Sequence, residues 1–149
     1  MTRNTPAKTV ARGAETRVLQ WFRGACPHNS GEVLNPRQIR QFALAAFVNG
    51  CPGYAFYSGV CYDGEILLKM MEAQDEVVRY EGLPWGKVDG KAEPKCANER
   101  FAYASTVRPD GTEVVALFNY DADEAIRVSL GGEDLSVEPY GVKFVEVKP

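Results

Sequence analysis

Apolar and polar positions change rhythm partway along the chain. Up to about residue 82, short apolar runs alternate with stretches in which apolar residues recur every three or four positions. From residue 101 onward only strand-like patterns remain. Arg17 to Phe22 (RVLQWF) fits a short strand, and a polar, glycine-containing stretch from Arg23 to Leu34 follows it. A helix start is then well marked. Asn35 can accept first-turn amide hydrogens, Pro36 suits a position whose N–H would be unpaired anyway, and Gln38 completes a capping box. Ile39, Phe42, Ala43, Ala46 and Phe47 form the apolar stripe of that helix, and Asn49-Gly50 stops it. After a Cys51-Pro52-Gly53 turn, Tyr54 to Ser58 (YAFYS) reads as a second strand ended by Gly59. A second helix opens near Asp63, carries Ile66, Leu67, Met70, Ala73, Val77 and Val78 inward, and ends around Tyr80 to Gly82. Strands joined by a helix pair in parallel with a right-handed crossover, so the two strand–helix units should lie side by side.

Pro84, Gly86, Gly90 and Pro94 interrupt any periodicity between residues 83 and 100, as a linker or irregular junction does. Strand signals then cover Phe101 to Val107, Glu113 to Tyr120, Ala125 to Leu130, Leu135 to Val137 and Val142 to Val147. Pro109-Asp110-Gly111, Gly131-Gly132 and Pro139-Tyr140-Gly141 supply the turns, by a proline-fixed dihedral, a permissive glycine, or both. Ile126, Val128 and Leu130 alternate with Arg127 and Ser129, the pattern of a sheet with one dry and one wet face. The expected fold class is α/β plus all-β: an α/β part over residues 1–82, a junction over 83–100, and an antiparallel β-domain over 101–149.

Composition narrows the function classes. Of the 149 residues 45% are hydrophobic and 25% charged, an ordinary globular balance with no continuous apolar run fit to span a membrane. The net charge of −3 with interspersed signs leaves no basic stripe for a phosphate backbone, so nucleic acid is not an expected partner. Residues 1–14 carry Arg3, Lys8 and Arg12 but lack the apolar core of a secretory signal, which gives a cytoplasmic default or a truncated start. Cysteines 26, 51, 61 and 96 form no C-x-x-C pair, and reduced thiols are expected. Cys26, His28 and Cys61 have residue types that suit zinc, with loop packing as the other reading; neither a metal nor a cofactor motif stands out.

The order of these pieces resembles the end of a retaining, clan A-type glycoside hydrolase and the glycosidase-like proteins related to it. The resemblance rests on Trp21-Phe22, Gly31-Glu32 with Pro36 beyond, the run from Phe42 to Gly50 (FALAAFVNG), Gly53 to Ser58 (GYAFYS), Asp63-Gly64, and Ala116 to Tyr120 (ALFNY). It runs from about residue 15 onward. It implies that the α/β part is the last two units of a partial TIM barrel, with Arg17 to Phe22 as the seventh barrel strand and Tyr54 to Ser58 as the eighth. A small antiparallel β-sandwich or sheet domain would follow. A full barrel takes eight units and roughly 250 residues.

Glycoside hydrolysis generally needs two carboxyl groups, roughly 5 to 10 Å apart. In the family the acid/base follows the fourth strand, which has no counterpart here, and the nucleophile ends the seventh. That end reads Gln20-Trp21-Phe22-Arg23, without a carboxylate. Glu32, in the following loop, is the remaining catalytic candidate; an acid just before a helix also complements its dipole. Asp63 is a substrate-binding candidate or an N-cap. Trp21, Tyr57 and Tyr62 offer flat aromatic faces suited to sugar rings or to packing, and Arg23 can orient a hydroxyl or carboxylate, or pair with Glu32. The expected function is therefore a C-terminal fragment of a glycoside-hydrolase-like protein, taking a carbohydrate ligand and incompetent in catalysis alone. The missing barrel portion or another subunit would be its partner. The alternatives are a stand-alone carbohydrate-binding or protein-interaction module, and one chain of a split glycosidase.

Overall fold

The computed structural model describes residues 20–23, 35–51, 54–57, 64–85 and 90–149. The chain divides into two compact units, Met1–Glu81 and Gly82–Pro149. The described elements are mixed α and β. The first unit holds β1 (Gln20–Arg23), α1 (Pro36–Val48), β2 (Tyr54–Tyr57) and α2 (Gly64–Tyr80). The second holds β3 (Phe101–Val107), β4 (Glu113–Asn119), β5 (Ile126–Leu130), β6 (Glu133–Val137) and β7 (Val142–Val147).

In the first unit β1 and β2 pair in parallel, with Gln20 opposite Tyr54 and Arg23 opposite Tyr57. Arg23, expected to begin the loop, is the last strand residue. The start of α1 follows from its first four residues. Asn35 Oδ1 accepts the Arg37 N–H at 2.9 Å, and Gln38 Oε1 accepts the Asn35 N–H at 3.0 Å, closing the capping box. The far end is a Schellman motif. Gly50 takes φ 76°, its N–H reaches Phe47 O at 2.9 Å, and the Cys51 N–H reaches Ala46 O at 3.1 Å. Cys51 then packs on Ala46, the apolar contact that accompanies this cap. Burial extends around α1 beyond the expected stripe, taking in Gln41, Leu44, Ala45 and Val48, while Phe42 and Phe47 are only half-buried.

The inward face of α2 differs from the expected one. Ile66, Ala73 and Tyr80 are buried and Met70 and Val77 half-buried, but Leu67 and Val78 point to solvent. Positions 66, 70, 73, 77 and 80 make one helical stripe, and 67 and 78 lie about 100° and 120° from its centre at about 100° per residue. Arg40 of α1 reaches Glu72 and Glu76 of α2 at 3.7 Å each, and Lys69 pairs with Glu72 at 2.6 Å. Glu72 and Glu76, four residues apart, present both carboxylates along one edge of α2 to a single guanidinium.

The second unit is antiparallel throughout. β4 is the centre of a three-stranded sheet ordered β3-β4-β7, and β5 pairs with β6. Val115 and Leu117 of β4 meet Ile126, Val128 and Leu130 of β5 and Val137 of β6 in one core. Phe101, Leu135, Val145 and Val147 close its margin. β5 alternates as expected, but β4 does not: Val114, Ala116 and Phe118 are as buried as Val115 and Leu117. A central strand with an unbroken apolar run (VVALF) is dry on both faces.

The turns follow their residues. Gly131 and Gly132, at φ 61° and 88°, form a two-residue hairpin whose double positive φ matches strand twist. Gly111 takes φ 86° after Pro109-Asp110. In Pro139-Tyr140-Gly141 the left-handed residue is Tyr140, at φ 51°, rather than the glycine. Gly141 is required there for space, since a Cβ would stand 2.6 Å from Glu138 O.

Candidate functional site

Parallel pairing brings the C-terminal ends of β1 and β2 to the same end of their sheet, where ligands bind in open α/β sheets generally. Of the residues singled out from the sequence, three lie on these strands. Arg23 and Tyr57 are direct register partners at the shared end, and Trp21 lies two positions back, opposite Ala55. Neighbouring strands are about 4.8 Å apart, so the backbones of Arg23 and Tyr57 are adjacent. Glu32, Tyr62 and Asp63 lie outside the described residues, as do Cys26, His28 and Cys61. Among the described residues no three His, Cys, Asp or Glu side chains gather as a metal site. No described helix is long and apolar enough to cross a membrane.

A cleft in the second unit had no sequence signal. It encloses about 570 Å³ between Lys91, Val107, Gly111, Glu113 and the segment Val147, Lys148 and Pro149. Glu113 builds one wall by holding the 90–92 segment against the sheet. Its Oε2 accepts the Ala92 N–H at 2.7 Å, and the Gly90 N–H donates to Ser105 Oγ at 2.9 Å. A Cβ on residue 90 would stand 2.5 Å from that carboxylate oxygen, so a larger residue there has to push the Glu113 side chain aside. Lys95 continues the attachment by exchanging backbone hydrogen bonds with Ser129 at 2.8 and 2.9 Å. The stretch expected as a junction is thus tied to the β-unit from Gly90 onward. These long-range bonds are made by a glycine, an alanine and a lysine backbone, residue types that announce nothing in a sequence.

Two carboxylates, Asp110 exposed and Asp121 half-buried, are held ionised by local geometry. Asp110 accepts the Thr112 N–H at 2.9 Å, and this bond, the Thr112 hydroxyl and nearby Arg108 bring its pKa below the usual 3.8. Asp121 accepts the amides of Asp123 and Glu124 at 3.0 and 3.1 Å, and with Arg100 at 3.7 Å its pKa also falls. Both sit in turns and serve them. Burial raises the Cys51 thiol, which makes it a packing residue in place of a nucleophile. No protein-family model, no curated protein and no solved structure matches the chain.

Proposed function

We propose that this chain is a C-terminal portion of a glycoside-hydrolase-like protein, a carbohydrate-binding piece that does not catalyse hydrolysis alone. In this reading its first unit is the closing pair of β/α units of a TIM barrel, and the second is an accessory β-sandwich. The observation that carries it is the parallel β1–β2 pair, with Arg23 and Tyr57 side by side at the C-terminal edge where barrel enzymes build their sites. Support for the catalytic half of the proposal is chemical. Gln20 to Arg23 offers no carboxylate, and Glu32 by itself cannot serve as both members of an acid and nucleophile pair. Trp21 and Tyr57 would supply flat faces for the sugar, and Arg23 a donor to its hydroxyls; Tyr62 and Asp63 would extend the site from the loop after β2.

Chromogenic aryl glycosides of both anomeric configurations test the catalytic half. The purified chain should release no chromophore above the uncatalysed rate. Turnover that disappears in Glu32→Gln would overturn the proposal and make the chain an enzyme in its own right.

A further inference from the structure

Asn49-Gly50 is the only Asn-Gly pair in the sequence, and it forms the C-terminal cap of α1. Such a pair is chemically labile. Glycine has no side chain to shield its nitrogen, and its free backbone lets that nitrogen reach the carbonyl carbon of the asparagine side chain. In the closed cap both partners of this reaction are held elsewhere. Asn49 Nδ2 donates to Ala45 O at 2.7 Å, and the Gly50 N–H donates to Phe47 O at 2.9 Å. Asn49 has ψ 10°, which brings the Gly50 nitrogen close to eclipsing the Asn49 backbone nitrogen and turns it away from Cβ. Ring closure requires rotation about that Cα–C bond. The rotation breaks the Gly50 bond to Phe47 and the 3.1 Å bond from the Cys51 N–H to Ala46 O. Cys51, buried and packed on Ala46, holds the cap against it.

We propose that Asn49 is a latent modification site, silent while the α1 cap is closed and deamidated when it opens, with a product that disfavours reclosing. The Gly50 nitrogen attacks Asn49 Cγ and forms a cyclic imide. The Cγ–Nδ2 bond breaks, and Nδ2 leaves as ammonia with the proton given up by Gly50. Water then opens the imide at either carbonyl, leaving aspartate or isoaspartate, so that the net change is amide plus water to carboxylate plus ammonium. Neither product restores the cap. The donor to Ala45 O is replaced by a carboxylate oxygen, and a negative charge arrives at the negative end of a helix whose last turn carries no basic residue. Isoaspartate also adds a methylene to the main chain, which moves Gly50 and Cys51 out of register with Phe47 and Ala46. Opening of this helix end is thereby recorded covalently, on the segment that leads into β2 and Tyr57.

Mass spectrometry of the peptide carrying Asn49, sampled while the full chain is incubated in mildly alkaline buffer, tests the proposal. In urea Asn49 should convert ahead of the other asparagines. In the folded chain, with its circular dichroism spectrum checked alongside, conversion should be about tenfold slower or more, because only the open fraction reacts. Cys51→Ser weakens the packing that closes the cap and leaves the reacting residues untouched. It should speed conversion of the folded chain about fivefold and leave the rate in urea unchanged. Asn49→Asp, which carries one of the two products from the start, should show faster hydrogen exchange at the Gly50 and Cys51 amides than wild type. Equal rates in the folded and unfolded chain overturn the proposal, as does a folded-state rate indifferent to Cys51→Ser. A product with no isoaspartate overturns the imide route, and unchanged exchange in Asn49→Asp overturns the failure to reclose.

Discussion

Asn119 shows how much one side chain can organise. It is fully buried, and its Nδ2 lies 2.8, 3.0 and 3.1 Å from the carbonyls of Glu124, Val137 and Glu138, while its Oδ1 accepts the Asp121 N–H at 2.8 Å. One amide therefore gathers the end of β4, the entry to β5, the end of β6 and the turn before β7. Removing it takes one donor from each of these carbonyls, of which the Val137 bond is buried and the Glu138 oxygen keeps the Gly141 N–H at 2.7 Å, and a buried group left unsatisfied costs roughly 1–3 kcal/mol. Asn119→Ala should lower stability by about 2–3 kcal/mol, and Asn119→Asp by more, because a carboxylate would face three carbonyl oxygens. Urea denaturation checks this, and an unchanged midpoint for either variant would contradict it. The depressed pKa values of Asp110 and Asp121 make a separate prediction about acid. Both carboxyls bind protons less readily folded than unfolded, so their stabilisation is complete above the unfolded value near 4. It disappears as pH falls through the lower folded values. The doubly substituted Asp110→Asn, Asp121→Asn chain should be less stable than wild type at pH 7, with the gap closing as pH falls below about 4. Melting curves across that range measure it; a gap that widens toward acid has the wrong sign.

At the scale of elements, legibility followed how local the signal was. The capping box at Asn35 and the glycine stop at Gly50 are matters of a few consecutive residues, and the structure has both. Asn35→Ala should cost about 1 kcal/mol, measured as a shift in denaturation midpoint. The outward placing of Leu67 and Val78 was not legible, because α2 carries two apolar stripes and periodicity alone does not say which one packs. Strand positions 101–107 and 142–147 were read to the residue, since a turn signal bounds each. By contrast β6 begins two residues earlier than its apolar run, at Glu133, because the Gly131-Gly132 hairpin forces Glu133 to pair with Leu130. The two dry faces of β4 could be suspected from its unbroken apolar run. The bonds from Gly90 to Ser105 and from Ala92 to Glu113, which shape the cleft, join residues 15 and 21 apart through main-chain donors, and nothing in the pattern marks them.

For the molecule as a whole, the two units place different demands on function. The second has its own core between the β3-β4-β7 sheet and the β5–β6 pair, with tight turns at each reversal. The described residues of the first form a parallel strand pair and two helices. Among the candidate residues, Trp21 and Tyr57 were legible as strand-end residues, and the structure adds that Arg23 closes β1 as the register neighbour of Tyr57.

Carbohydrate binding at that edge is the central claim, and a saccharide titration followed by tryptophan fluorescence tests it most directly. Trp85 is buried in the second unit and edge-on to Phe144, so Trp85→Phe leaves Trp21 as the reporting fluorophore. Titration of that variant with a panel of soluble oligosaccharides should produce a saturable change in emission for at least one sugar. Arg23→Ala should weaken the same response about tenfold, the worth of one charge-assisted hydrogen bond. A flat titration for every sugar, or a response indifferent to Arg23→Ala and Tyr57→Ala alike, would contradict the account.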